Sequence, residues 1–126
     1  MNTDGKILHQ ELTQDIIGAA FEVHNALGCG LLEKVYENAL AHELTLRNHA
    51  VTPQKEFRVS YKNKEVGVYY ADLVVDDSVV VEVKSVSALE DVHRAQTLNY
   101  LRVSGTRVGL LLNFARPKLK FERLVV

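Results

Sequence analysis

Apolar positions change period along this chain. Between residues 11 and 27 they fall at Leu12, Ile16, Ala19, Ala20, Val23 and Leu27, the spacing of one helix face. Gly28-Cys29-Gly30 interrupts that pattern. A second helical stretch covers residues 31–47, with Leu32, Val35, Tyr36, Ala39, Leu40 and Leu44 on one side. Pro53 opens a β region. Residues 57–62, 65–75 and 79–84 read as three strands, and Asp76-Asp77-Ser78 is the turn between the last two. Ser87 and Glu90 have capping-box spacing, with Ser87 as N-cap, and predict a helix running to about residue 103 and stopped by Gly105. Residues 107–114 read as a buried strand and 121–126 as a final edge strand. The order α-α-β-β-β-α-β-β predicts an α/β fold, a mixed β-sheet flanked by helices on both faces. A helix crossing from the third strand to the fourth makes that pair parallel.

Three ionisable residues break the apolar runs of this sheet. Asp72 interrupts Tyr69-Tyr70-Ala71-Asp72-Leu73-Val74-Val75, and Glu82 and Lys84 interrupt Val79-Val80-Val81-Glu82-Val83-Lys84. Buried charge is costly unless it is paired or ligated. A three-residue loop at Asp76-Asp77-Ser78 pairs Val75 with Val79 and sets Asp72 opposite Glu82, whereas a two-residue turn sets Asp72 opposite Val83 and splits the trio. Asp tolerates the left-handed backbone that such loops need, and no Asn-Gly or Asp-Gly pair demands the shorter turn. Converging carboxylates suit a hard cation such as Mg²⁺ (or Mn²⁺), with Asp72, Glu82 and the carbonyl of Val83 as ligands. Lys84 then orients a water or stabilises charge on a phosphate. The alternative is a structural ion pair between Glu82 and Lys84.

Two further groups belong to helices. Glu33 and Tyr36 share a helix face, so Glu33 is a candidate extra ligand, or simply an acid placed favourably at a helix N-terminus. Tyr36 and His24 are candidates for substrate contact, against ordinary packing positions. Gln96 and Tyr100 lie one turn apart on the third helix with His93 a turn earlier. That polar ladder positions a phosphate or a water, unless it is a surface stripe.

Composition narrows the class. With 126 residues, 47% apolar and 25% charged, the chain has the make-up of one soluble globular domain, residues 1–126. No apolar run approaches the roughly 18 residues of a membrane span. Met1-Asn2-Thr3-Asp4-Gly5-Lys6 lacks the layout of a secretory signal, and the lone Cys29 cannot form an internal disulfide. A cytoplasmic location is the expectation. The net charge of −1 hides an asymmetry: residues 1–83 carry 7 basic and 13 acidic side chains, residues 84–126 carry 8 and 3. The basic half is either a solvated surface or a rim that tracks phosphates beside an acidic site.

Glu22-Val23-His24, Leu27-Gly28, and Gly30-Leu31-Leu32-Glu33 followed by Tyr36-Glu37 together resemble the signature of the GxxExxY protein family. That family is placed in the PD-(D/E)xK nuclease superfamily. The resemblance extends through Ala71-Asp72-Leu73, Val81-Glu82-Val83-Lys84, Ala95-Gln96 with Tyr100-Leu101, and Gly109-Leu110-Leu111-Leu112-Asn113-Phe114. Ala71 stands where the superfamily name has proline. The resemblance implies a restriction-endonuclease-like fold, Asp72, Glu82 and Lys84 as metal and catalytic residues, and Glu33 as the helix acid. Gln96 and Tyr100 resemble the Gln-x-x-x-Tyr element of the RecB-like branch. The expected activity is Mg²⁺-dependent hydrolysis of DNA or RNA phosphodiesters. The alternatives are a non-catalytic nucleic-acid-binding module of the same fold and an interaction protein, a homodimer through a sheet edge or helix face.

Overall fold

The computed structural model describes residues 9–126; Met1-Asn2-Thr3-Asp4-Gly5-Lys6 lies outside the described residues. Eight elements follow in order: α1 (Gln10–Leu27), α2 (Glu33–Leu46), β1 (Val51–Tyr61), β2 (Lys64–Val75), β3 (Val79–Lys84), α3 (Asp91–Ser104), β4 (Val108–Asn113) and β5 (Lys120–Val125). The strands form one five-stranded sheet in the order β1-β2-β3-β4-β5. Only β3 and β4 are parallel, the pair joined by the α3 crossover. The α-α-β-β-β-α-β-β order read from the sequence is the observed one. None of the described helices is long and apolar enough to cross a membrane.

Helices cover both sheet faces. Ile16, Ala19, Ala20 and Val23 of α1 and Tyr36, Leu40 and Leu44 of α2 pack on Leu73, Val81, Val83, Leu110 and Leu112. Each buried Ile, Leu or Val among them contributes roughly 1.5–3 kcal/mol by leaving water. The second face is thinner: Leu101 and Leu98 of α3 meet Ala71, Val74 and Val80. Gly109 lets α3 approach β4 closely, because a Cβ there would lie 3.2 Å from a methyl of Leu101 and 3.3 Å from that of Thr97.

Several element ends differ from the sequence expectation. Helix α3 starts at Asp91 with Glu90 as N-cap, so the capping box is Glu90/His93 and not Ser87/Glu90. The Glu90 N–H bonds Nδ1 of His93 at 2.9 Å. Residues 85–90 form an irregular, bent connection instead, in which the buried Asn113 amide clamps Val86: Oδ1 accepts its N–H at 3.1 Å and Nδ2 donates to its carbonyl at 2.9 Å. Strand β1 begins at Val51, well before residue 57, and runs through Pro53. Proline is tolerated there because β1 is an edge strand and its missing N–H breaks no ladder bond. Helix α2 begins at Glu33 because the glycine turn continues to Leu32, fixed by Tyr36, whose hydroxyl donates to the Gly28 carbonyl at 2.6 Å and accepts the Leu31 N–H at 3.1 Å.

The β2–β3 connection has three residues. Val75 pairs with Val79, and Asp76 and Asp77 both adopt φ of 52°, the left-handed region. Asp76 is held from outside the hairpin. Its Oδ1 accepts the Ala50 N–H at 2.8 Å and its Oδ2 meets Nδ1 of His49 at 2.7 Å. The other ring nitrogen of His49 bonds Asp15 of α1, which also takes Arg47. One imidazole between two carboxylates thus ties α1, the end of α2 and the turn together. Both carboxylates raise the His49 pKa, the Asp15 bond most, and His49 in turn lowers that of Asp15.

Candidate active site

The β2–β3 ladder stops one step before Asp72. Pairing runs Val75↔Val79, Val74↔Val80, Leu73↔Val81. Where Asp72 and Glu82 would come next, their side chains replace the backbone contacts. Oδ2 of Asp72 accepts the Val83 N–H at 2.8 Å, and Oε2 of Glu82 accepts the Asp72 N–H at 3.1 Å. The hairpin register therefore brings the two carboxylates together, each tethered to the opposite strand by one oxygen. Among the described residues, neither second oxygen has a protein hydrogen bond.

Charge at this point is concentrated. Glu82 is 4% exposed, and burial first, then the Asp72 carboxylate, pushes its pKa up to about 8. Asp72 is raised too, by burial and by Glu37 and Glu33, against the Val83 N–H and Lys84, which lower it. Lys84 acts on both acids, yet among the described residues it forms no ion pair within 4.0 Å; a structural Glu82–Lys84 bridge is not what holds it.

Helix α2 adds two acids. Glu33, in its first turn, accepts the Ser85 N–H through Oε2 at 3.0 Å, just beyond Lys84. Glu37, one turn later, is 5% exposed and accepts from Lys34 at 2.9 Å and from Gln54 Nε2 at 2.7 Å. The sequence reading named Glu33 and passed over Glu37. Its signal was an acid inside the apolar side of a helix, directly after Tyr36.

Helix α3 supplies Tyr100. Its ring stacks on Tyr69 at 4.0 Å, and burial raises its pKa, with Glu82 and Asp72 adding to the rise and the Gln96 amide opposing it. Gln96, exposed, lies one helical turn before Tyr100 and beside it. Three named candidates do not gather there. Tyr36 is fully buried, holds the Gly28–Leu31 turn and stacks on Phe114 at 4.7 Å. His24 is buried, with Nε2 bonded to the Arg116 carbonyl at 2.9 Å. His93 caps α3.

The donor set suits a hard divalent cation. Two carboxylates with a free oxygen each, both raised first by burial and flanked by Glu33 and Glu37, form an acidic pair that a cation can hold in its charged form. Among the described residues no group of three or more His, Cys, Asp or Glu side chains is arranged to hold an ion. The protein would offer the carboxylate pair, and water or phosphate oxygens the remaining positions, as Mg²⁺ sites commonly do.

A mixed sheet flanked by helices, with an Asp on one strand meeting an acid-x-Lys on the next, defines a nuclease-type α/β domain. The family model of the PD-(D/E)XK nuclease superfamily matches residues 10–124, and the chain belongs to that superfamily. No curated protein and no solved structure matches the chain significantly.

Proposed function

We propose that this chain is a divalent-metal-dependent nuclease that hydrolyses phosphodiester bonds of DNA or RNA. The single observation that carries the reading is the pair of carboxylate tethers across the hairpin, Asp72 on the Val83 N–H and Glu82 on the Asp72 N–H, with Lys84 two residues beyond Glu82. Asp72, Glu82 and the carbonyl of Val83 would hold Mg²⁺ or Mn²⁺, with Glu33 as an added acid at the rim. Such an ion supplies Lewis acidity and a lower pKa for water. Lys84 places an ammonium where negative charge grows on the phosphorus oxygens. Glu33 and Asn113 fix Ser85 and Val86, and so fix the direction in which the end of β3 presents Lys84. Tyr100 and Gln96 would position the phosphate or the attacking water. A water oxygen adds to phosphorus, the P–O ester bond breaks, and the departing oxygen leaves as an alcohol with one proton.

The test is cleavage of single- and double-stranded DNA and RNA with Mg²⁺ or Mn²⁺, comparing wild type with Lys84→Ala. Equal cleavage by both would remove the site from the reaction. Calorimetry with Mn²⁺ should show binding that disappears in Asp72→Asn. Nucleic-acid binding without turnover, in a protein that still binds Mn²⁺, would favour a non-catalytic module of the same fold.

A further inference from the structure

Strands β1 and β2 exchange faces at one step. On one side of that step the odd-numbered Val51, Leu73 and Val75 pack with α1 and α2, while Val74 packs with α3. On the other side the odd-numbered Phe57, Tyr69 and Ala71 are the residues on the α3 face. No residue is inserted there: Pro53↔Leu73 and Lys55↔Ala71 keep a single register across the gap. A strand holds its odd-numbered side chains on one face unless its backbone turns over. The turn-over lies at Gln54 and Asp72, and Gln54 has φ of 51°, a conformation that strains any residue with a Cβ.

Asp72 is aimed by this inversion. Its neighbours Ala71 and Leu73 lie on opposite faces, so its own side chain belongs to neither. It reaches across to β3 instead, where Oδ2 accepts the Val83 N–H at 2.8 Å. A regular strand would send Asp72 to the face opposite both neighbours, away from that N–H. The inversion is held from α2. Nε2 of Gln54 donates to Oε2 of Glu37 at 2.7 Å, and the same oxygen accepts from Nζ of Lys34 at 2.9 Å. Glu37 is buried, a costly place for a carboxylate that is not bonded. Its charge raises both Asp72 and Glu82, yet among the described residues its bonds go to Gln54 and Lys34 and to neither of those acids.

We infer that Gln54 and Glu37 are positioning residues for the cation site: their bond holds β1 in its left-handed step and so keeps the Asp72 carboxylate between β2 and β3, beside Glu82. This role rests on the reading of Asp72 and Glu82 as metal ligands, and it adds the device that aims the first of them. Both residues act through Asp72 and touch neither ion nor substrate. An uninterrupted strand would need neither the left-handed glutamine nor the buried acid, and strain of that kind is kept where it shapes a site.

The experiment is calorimetry of the full chain with Mg²⁺ and with Ca²⁺, for wild type, Gln54→Gly, Glu37→Ala, Glu37→Gln and Gln54→Gly/Glu37→Ala. Glycine adopts positive φ freely, so Gln54→Gly removes the tie without a clash. Mg²⁺ demands near-ideal octahedral geometry, whereas Ca²⁺ accepts irregular sites. Gln54→Gly should therefore weaken Mg²⁺ roughly 10–100-fold and Ca²⁺ less than about threefold. A merely structural tie would lower the thermal midpoint and leave the ratio of the two affinities at its wild-type value. Glu37→Ala should shift that ratio in the same direction, and the double variant should lose no more than the worse single one, because the two side chains act as a unit. Glu37→Gln, which keeps an oxygen for the Gln54 amide, should recover most of the loss. An unchanged ratio in Gln54→Gly would overturn the positioning role, as would additive losses in the double variant. Glu37→Gln as damaging as Asp72→Asn would make Glu37 a ligand in its own right and overturn it too. If the ratio shifts as expected but wild type never cleaves nucleic acid with Mg²⁺ or Mn²⁺, the positioning role stands and the nuclease reading falls. If wild type cleaves and Gln54→Gly keeps its Mg²⁺ affinity, the positioning role alone falls.

Discussion

Glu82→Gln should make the metal-free protein more stable at alkaline pH while removing its cation binding. Burial and the neighbouring Asp72 carboxylate raise the Glu82 pKa from 4.5 to about 8. Between those values the folded state keeps a proton that the unfolded chain releases, so wild-type stability falls as pH rises through that window. Each pKa unit is about 1.4 kcal/mol, which sets a ceiling of roughly 5 kcal/mol on the loss. Asp72 shares the same charge excess and is itself partly solvated, so the net difference at pH 9 should be about 1–3 kcal/mol. Glutamine keeps the shape and an amide oxygen for the Asp72 N–H, but has no proton to lose. The two proteins should therefore melt together below about pH 5, diverge steadily between about pH 5 and 8 and hold that gap above it, roughly 5–10 °C at pH 9 for a chain of this size.

The assay is thermal unfolding in EDTA at half-unit pH steps, repeated with Mg²⁺. With the ion at about 100 times its Kd, wild type should gain about 2.7 kcal/mol and the variant nothing. Parallel pH profiles in EDTA would refute the claim that Glu82 is a strained buried acid. A variant that gains as much from Mg²⁺ as wild type would refute its place among the ligands.

Three other perturbations test the scaffold. His49 has a raised pKa because Asp15 and Asp76 bond its two ring nitrogens, so its contribution is present below pH 6.5 and lost as pH rises through the higher folded value; His49→Gln should flatten that loss in urea titrations between pH 6 and 9. Tyr36→Phe removes the hydroxyl that joins Gly28 and Leu31, costing about 0.5–1.5 kcal/mol in chemical denaturation because the exposed turn can present its carbonyl to water. Gly109→Ala places a methyl 3.2 Å from Leu101, and should cost about 1–3 kcal/mol and lower activity through displacement of α3, which carries Gln96 and Tyr100.

The sequence made the secondary-structure order and the hairpin register legible for a shared reason. Both are local: the apolar period reports each element, and the chemistry of Asp76-Asp77-Ser78 reports the turn. Features that depend on partners distant in the chain were hidden. Nothing near Ser87 says that Asn113, 26 positions on, clamps Val86 in a bent connection and that α3 starts a turn later. The spacing that suggested Ser87/Glu90 recurs at Glu90/His93, and only the clamp chooses between them. Glu37 was passed over because one buried acid has no sequence mark apart from its polarity on an apolar face. His24 and Tyr36 sit in the motif that suggested function, yet their polar atoms bond backbone within the described structure.

Asp72 shows why the site lies where it does. On one side the β1–β2 pairing passes from Pro53↔Leu73 to Lys55↔Ala71, leaving Asp72 without a strand partner there. Gln54, which would have been that partner, has φ of 51° and sends its amide to Glu37. On the other side the β2–β3 ladder ends at Leu73↔Val81. A sheet that opens on both flanks of one residue forfeits ladder bonds, and a left-handed glutamine adds strain of order 1 kcal/mol or more. The surrounding groups make that geometry hold: Glu37 fixes Gln54, Val83 and Glu82 bond Asp72, and His49 fixes the turn that sets the register. Each of these is a polar contact where an uninterrupted sheet would need none. The fold thus gives up pairing at the one place where two carboxylates can turn toward each other, and backbone N–H groups hold one oxygen of each while the second stays available.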